Sequence, residues 1–274
     1  MSNLRLGVIT PTFNRPDLLA RLHSSLCSQG GLVDWVHIII DDCSSSVSPM
    51  AMTTDPRVEY IRLTRNNGPL VARNIGLERA RTLGVSWICF VDDDDYIIAT
   101  AFTTVNRTLE AHPGARFLMF RSGPEDSPFP AIWPKSPKRV SWITDIADGA
   151  RYSVDNFVVL SMDIVGNARF SEFGRSQREW TFFTKVARAW DEVLICPDSL
   201  RVHHYLEGGL THTTDRNAAT LAHVWNIVSR AIVYYSLKPT SLKLGFRLAK
   251  QLSLLPLRLS LVAWRKCTQS TSKV

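Results

Sequence analysis

Four consecutive aspartates, Asp92-Asp93-Asp94-Asp95, stand directly behind the apolar run Trp87 to Val91. Carboxylates so close repel one another, and some stay protonated unless a cation joins them. A divalent ion removes that cost. Hard carboxylate oxygens suit Mg²⁺ or Mn²⁺, held by a few side chains together with a substrate phosphate. A solvated acidic turn, or a helix N-cap formed by Asp94 or Asp95, would use the same residue types. A second acidic pair, Asp41-Asp42, closes the β-branched run Val36 to Ile40. A carboxylate there can accept hydrogen bonds from a ribose or a base, or simply form a turn. Arg73 can reach a phosphate or a neighbouring aspartate, or lie exposed on its helix. The chain has no GxSxG, no P-loop and no GxGxxG, so serine nucleophile chemistry is not indicated.

The elements that must position these residues alternate. Leu6 to Thr10 reads as a strand, ended by Pro11 and Pro16. From Asp17 to Cys27, Leu18, Leu19, Leu22 and Leu26 recur at helical spacing. Val36 to Ile40 and Trp87 to Val91 are continuous apolar runs, as strands buried on both faces should be. Val58 to Leu63 reads as a strand and Leu70 to Leu83 as a helix with Leu70, Ile75, Leu77 and Ala80 inward. Strands alternating with helices predict an α/β fold with a mostly parallel central sheet flanked by helices. Ligands then bind beyond the carboxyl ends of the strands, where both acidic clusters lie. The second half is less regular: Phe117 to Phe120 and Asn156 to Leu160 read as strands, Trp180 to Trp190 as a helix, and Ser122 to Lys138 as a Pro-rich surface loop.

The charge is uneven. The chain carries 32 basic and 25 acidic residues, but from Arg216 onward there are ten Lys or Arg and no acid. The first 215 residues therefore carry a net −3, and the tail holds the entire positive excess. This asymmetry predicts an anionic partner for the tail, with a solvated basic face as the bland alternative. Ala222 to Tyr235 reads as a helix packed on the body. On a helix from Ser241, Lys243, Arg247 and Lys250 share one face, Leu244 and Leu248 lie on another, and Pro256 breaks the run before Leu257 to Trp264. Such an amphipathic helical tail fits the interface of an anionic membrane, although its leucines could instead pack on the body or on a second copy. Basic residues interleaved with Leu do not suit nucleic acid. Neither piece is long enough to span a bilayer. The five cysteines form no CxxC pair and read as buried, reduced thiols of a cytosolic protein, and no signal peptide is expected.

Together these segments resemble glycosyltransferase family 2, which has the GT-A fold. Val8-Ile9-Thr10-Pro11-Thr12-Phe13-Asn14-Arg15 is similar to the family's opening strand and loop. Asp41-Asp42-Cys43-Ser44-Ser45 is similar to its DDxSxD segment, with Ser46 where a further Asp often stands. Asn67-Gly68 followed by Ala72-Arg73-Asn74-Ile75-Gly76 resembles its NxG…ARNxG helix, and Phe90-Val91 with the four aspartates resembles its DxDD metal motif. Four ordered motifs over residues 4 to 210 are far more specific than any one alone.

The resemblance implies that Pro11, Thr12, Asn14 and Arg15 line the donor nucleotide, Asp42 binds its base or ribose, and Arg73 contacts it. Asp93 would lie near the ribose. Asp92 and Asp94 would form the DxD pair, with Asp94 the direct ligand of Mn²⁺ or Mg²⁺. Gln177-Arg178-Glu179-Trp180 resembles the family's ED segment, although Arg-Glu stands where Glu-Asp is usual. Glu179 takes the place of the second acid and is the candidate general base of an inverting transfer, with helix capping as its alternative. One carboxylate suffices, because the diphosphate leaves on the metal. A histidine is common in the family near His203-His204, which makes His204 a candidate third metal ligand, in competition with His203 and Glu207.

The implied protein moves a sugar from a nucleotide-diphosphate donor to a hydroxyl of a glycan or lipid-linked glycan in surface polysaccharide assembly. It would be cytoplasmic and peripheral on the inner face of the cell membrane. Residues 1–220 would form the catalytic domain, with a nucleotide-binding half (1–115) and an acceptor-binding half (116–220), and residues 221–274 the basic tail. A nucleotidyltransferase and a non-catalytic, membrane-docked nucleotide-binding module are the alternatives. The first would normally show a Gly-rich basic loop where Pro11-Thr12-Phe13-Asn14-Arg15 stands.

Overall fold

The computed structural model describes residues 4–45, 54–123, 132–147, 156–171, 179–203 and 239–256, together with 228, 232–233 and 235–237. Its first half is a run of crossover units: β1 (Arg5–Thr12), α1 (Pro16–Cys27), β2 (Asp34–Asp41), β3 (Val58–Arg62), α2 (Pro69–Thr82) and β4 (Trp87–Phe90). Then come β5 (Tyr96–Ile97), α3 (Ala101–Ala111), β6 (Phe117–Ser122), β7 (Lys138–Ser141), a π-helical turn (Trp142–Ile146) and β8 (Phe157–Ser161). The last elements are α4 (Met162–Val165), α5 (Glu179–Ala189), β9 (Glu192–Val202) and α6 (Leu242–Ser253).

The strands form one nine-stranded sheet in the order β3-β2-β1-β4-β8-β6-β9-β5, with β7 on β9. β1 runs parallel to β2 from Arg5↔Asp34 to Thr12↔Asp41, and parallel to β4 from Leu6↔Trp87 to Ile9↔Phe90. The parallel arrangement expected from strand–helix alternation holds through these first four strands. Beyond β4 the sheet is mixed: β8 lies antiparallel between β4 and β6, while β6 and β9 are parallel to each other. β8 thereby marks where the parallel half of the sheet ends.

The apolar runs are buried on both faces, as their lack of alternation predicts. Ile9 and Ile38 pack on one face with Leu70 and Leu77 of α2 and Phe182 and Val186 of α5. Leu6 and Val8 pack on the other with Leu22 and Leu26 of α1 and Phe102 of α3. Pro11 is tolerated in a central strand because the β1–β4 ladder ends at Ile9, and position 11 faces that side.

In the tail, Ser241 caps α6 by accepting from the Leu244 backbone N–H. Leu244 is buried and joins the core cluster of α2 and α5, with Tyr235 and Leu237 beside it. The apolar face read from the sequence as membrane-directed therefore turns one of its leucines onto the protein body. Phe246 and Leu252 are left exposed. Most of 222–235 and all of 257–264 lie outside the described residues.

Candidate active site

Because β1, β2 and β4 are parallel, Thr12, Asp41-Asp42 and the aspartate run all emerge at one edge of the sheet. The loop after β1 is tied to the loop after β2. Asn14, at a left-handed φ of 56°, donates its N–H to Ser44 Oγ (2.8 Å), and its side-chain oxygen accepts from Ser45 N–H (2.7 Å). Cys43 is also left-handed, at 70°. Asp41 turns inward, accepting from Ser44 N–H and from the Tyr60 hydroxyl. Asp42 spends one oxygen on the N–H of Asn67 (2.8 Å) and the other on that of Gly68 (2.7 Å). Gly68 holds φ 89°, ψ 161°, a conformation open to glycine, and starts α2. Asp42 thus fixes where α2 begins, and with it where Arg73 points.

The aspartate run is a tight turn, with Asp95 N–H bonded to Asp92 C=O (3.1 Å). It caps no helix, since α3 starts at Ala101 with Thr100 at its N-cap. Burial alternates along the run: Asp93 and Asp95 are buried, Asp92 and Asp94 half-exposed. Asp92 and Asp94 therefore share the open side of the turn. Asp93 accepts from Thr12 Oγ1 (2.7 Å) and Arg15 (3.0 Å). Arg15 also reaches Asp94 (3.1 Å), and Arg21 donates to the Asp94 carbonyl (2.5 Å). On the other side Asp95 faces Arg201 (3.5 Å) and His203 Nδ1 (3.3 Å). Among the described residues, His203 is tied to the acidic run through Asp95. His204 and Glu207 lie outside the described residues.

Burial pushes Asp93 up to about 6, against the pull of Thr12 and Arg15. Burial also raises Asp94, reinforced by the charges of Asp92 and Asp95. For Asp92 burial works the same way but is outweighed by Arg73 and then Arg201, so it falls below the usual carboxylate range. At Asp94, in contrast to Asp92, the neighbouring arginine does not offset burial and the adjacent carboxylates. A hard oxygen donor set of this kind fits Mn²⁺ or Mg²⁺.

Arg73 is the centre of the site. It is buried, and its two terminal nitrogens lie 2.5 Å from Asp92 Oδ1 and 2.5 Å from Glu179 Oε1. Glu179 opens α5 and remains half-exposed. These three residues line an open pocket whose other walls include Phe90, Phe170 and Arg201. Asn74, next to Arg73, exchanges two hydrogen bonds with the Phe170 backbone and so fixes the pocket wall. Arg201 went unnoticed in the sequence. It is buried on β9, bonds Ser122 Oγ (3.0 Å) and faces Asp95. An arginine between Leu200 and Val202, directly before His203-His204, was the available signal.

Comparison with known proteins adds to this geometry. The sequence model described as Glycosyl transferase family 2 matches residues 7–163. The chain is 37% identical over 91 residues to the succinoglycan biosynthesis protein ExoO of Rhizobium meliloti (strain 1021), covering 32% of this chain and 25% of that protein. It is 29% identical over 187 residues to a GalNAc(5)-diNAcBac-PP-undecaprenol beta-1,3-glucosyltransferase of Campylobacter jejuni, covering 64% of this chain and 58% of that protein. The chain thus spans between a quarter and somewhat over half the length of these relatives. S. aureus TarS 1-349 in complex with UDP-GlcNAc superposes with a TM-score of 0.71 at 18% identity, over 90% of this chain and 71% of that one. That likeness establishes the fold.

Proposed function

We propose, starting from the fact that this chain belongs to glycosyltransferase family 2, that it moves a sugar from a nucleotide-diphosphate donor to an acceptor hydroxyl with inversion at the anomeric carbon. The observation that carries this reading is the Arg73 bridge. One buried guanidinium holds Asp92, at the acidic edge, and Glu179, on α5, at a common pocket. In this reading Thr12 and Arg15, which hold Asp93 beside Asp92, and Asp42 at the same sheet edge take the nucleotide. Glu179 gives one oxygen to Arg73 and uses the other, Oε2, to take the acceptor's proton as the hydroxyl attacks. Arg73 fixes the rotamer of the base and carries the positive charge needed beside a diphosphate. A divalent ion, Mn²⁺ or Mg²⁺, would be held by Asp94 with Asp92 and would neutralise the departing diphosphate. His203, through Asp95, orients this edge of the site.

The C. jejuni relative, by its name, acts on a polyprenol-linked glycan, and the TarS structure holds UDP-GlcNAc. Both support a nucleotide-sugar donor and a glycan or lipid-linked glycan acceptor for this chain. No helix among the described residues is long and apolar enough to cross a membrane. In our reading the basic tail meets an anionic membrane surface through Phe246, Leu252 and Lys250, all exposed on α6.

The deciding experiment offers a panel of nucleotide-sugars and measures release of nucleoside diphosphate. Release should require Mn²⁺ or Mg²⁺, stop in chelator, and be lost in Asp94→Asn with the fold intact by circular dichroism. Full activity in chelator would remove the metal from the mechanism, and no turnover of any donor would remove the transferase reading.

A further inference from the structure

A second set of ligating atoms lies where α1 ends and β3 begins, sharing no residue with the acidic site. His23 and Cys27 are four apart on the last turns of α1 and so lie on one face. Asp55, in the turn before β3, meets them. Cys27 Sγ is 3.4 Å from His23 Nε2 and 3.7 Å from Asp55 Oδ2, and His23 Nε2 is 3.4 Å from Asp55 Oδ2. An imidazole–carboxylate contact of that length is poor as a hydrogen bond. The same three lengths have a different meaning as edges of a coordination polyhedron. With Zn²⁺ bonds of about 2.05 Å to N, 2.3 Å to S and 2.1 Å to O, tetrahedral ligands stand about 3.6 Å (N to S), 3.4 Å (N to O) and 3.6 Å (S to O) apart. The three observed contacts match these values to within about 0.2 Å.

The surroundings orient the ligands as a metal requires. His23 Nδ1 lies 3.2 Å from His37 Nδ1, and His37 Nε2 lies 3.0 Å from Thr10 Oγ1. If His23 donates from Nδ1 to His37, and His37 donates from Nε2 to Thr10, the Nε2 lone pair of His23 faces the gap between Cys27 and Asp55. Burial keeps both imidazoles neutral, lowering His37 to about 3. Arg57 grips Asp55 through both carboxylate oxygens (2.7 and 3.0 Å) and keeps it ionised, and the same guanidinium lies 3.4 Å from Cys27 Sγ. Hydrogen-bonded carboxylate ligands and a histidine anchored at its second nitrogen are the usual supports of a metal site. Cys27, expected from the sequence to be buried, is exposed, which opens a path for an ion.

We propose that His23 Nε2, Cys27 Sγ and Asp55 Oδ2 form a Zn²⁺ site, with water as the fourth ligand, that clips the end of α1 to the entry of β3. On binding, the Cys27 thiol gives its proton to solvent and coordinates as the thiolate. The test uses the full chain, stripped with chelator under reducing conditions and titrated with Co²⁺. A cobalt–thiolate pair gives a near-ultraviolet charge-transfer band, whereas the carboxylate site at Asp92 and Asp94 cannot. The band should saturate at one equivalent, bleach on adding Zn²⁺, persist in Asp94→Asn and vanish in Cys27→Ser. Asp55→Asn should weaken Zn²⁺, measured against a chromophoric chelator, by at least about tenfold. No band at one equivalent of Co²⁺, or an undiminished band in Cys27→Ser, would overturn the site.

Discussion

Gly76 is where α2 touches the sheet, and replacing it by Ala should disable the site more than it unfolds the protein. A β carbon at this position would lie 2.4 Å from Ile9 Cγ2 and 3.6 Å from Ile40 Cγ1. Ordinary carbon contacts are about 3.5–4.0 Å, so α2 must retreat from β1 by roughly 1.1–1.6 Å. Ile9 cannot give way easily, being fully buried with Cγ2 fixed on a branched carbon. Overpacking of this kind costs about 1–3 kcal/mol, and the better helix propensity of Ala returns up to about 1 kcal/mol. The expected net loss is at most about 3 kcal/mol, read as a lower midpoint in urea. Arg73 stands one turn upstream on the same helix, 2.5 Å from both Asp92 and Glu179. Moving it by about 1 Å should lower turnover on the order of 10²-fold. Nucleoside diphosphate release at saturating donor measures this. Ile9→Ala removes Cγ2, so the double variant should turn over faster than Gly76→Ala alone, a coupling that generic destabilisation would not produce. Wild-type turnover and stability in Gly76→Ala would refute the reasoning.

Glu179→Gln keeps the side-chain shape and removes its basicity. Turnover should fall by about 10²-fold or more with donor affinity nearly unchanged, and normal turnover would reduce Glu179 to a structural partner of Arg73. In metal-free protein, Asp93 stays protonated in the folded state up to about 6, but in the unfolded chain it ionises near 4. The folded state therefore binds the extra proton, and stability falls as pH rises through that window by up to about 3 kcal/mol. Asp93→Asn should flatten this part of the pH profile in urea unfolding with chelator present, and an unchanged profile would contradict it. Replacing Phe246 and Leu252 together by Ser leaves the buried Leu244 in place. It should abolish pelleting with anionic liposomes, while wild-type pelleting weakens as salt rises; equal pelleting of both would discard the membrane surface.

The sequence by itself determined the crossover half of the sheet. Its β-branched runs lack alternation because both faces are covered, and that local signal placed β1, β2 and β4, and with them the two acidic clusters at one edge. The ordered motifs carried the family, and the Lys and Arg count set the tail apart. Tertiary structure decided the rest. Four identical side chains in a row give no hint of which way each turns. The turn itself, closed by Asp95 onto Asp92, sends Asp93 to Thr12 and Arg15 and leaves Asp92 and Asp94 on the open side. The antiparallel insertion of β8 between β4 and β6 joins segments far apart in sequence, Trp87 with Ser161 and Phe117 with Leu160, and periodicity is blind to pairing at such distances. The same blindness hid Arg201, and it left open whether His203 meets the acidic run and whether the tail leucines pack on the body. Each depends on what lies across a contact, and no local pattern along the chain records the other side of a contact.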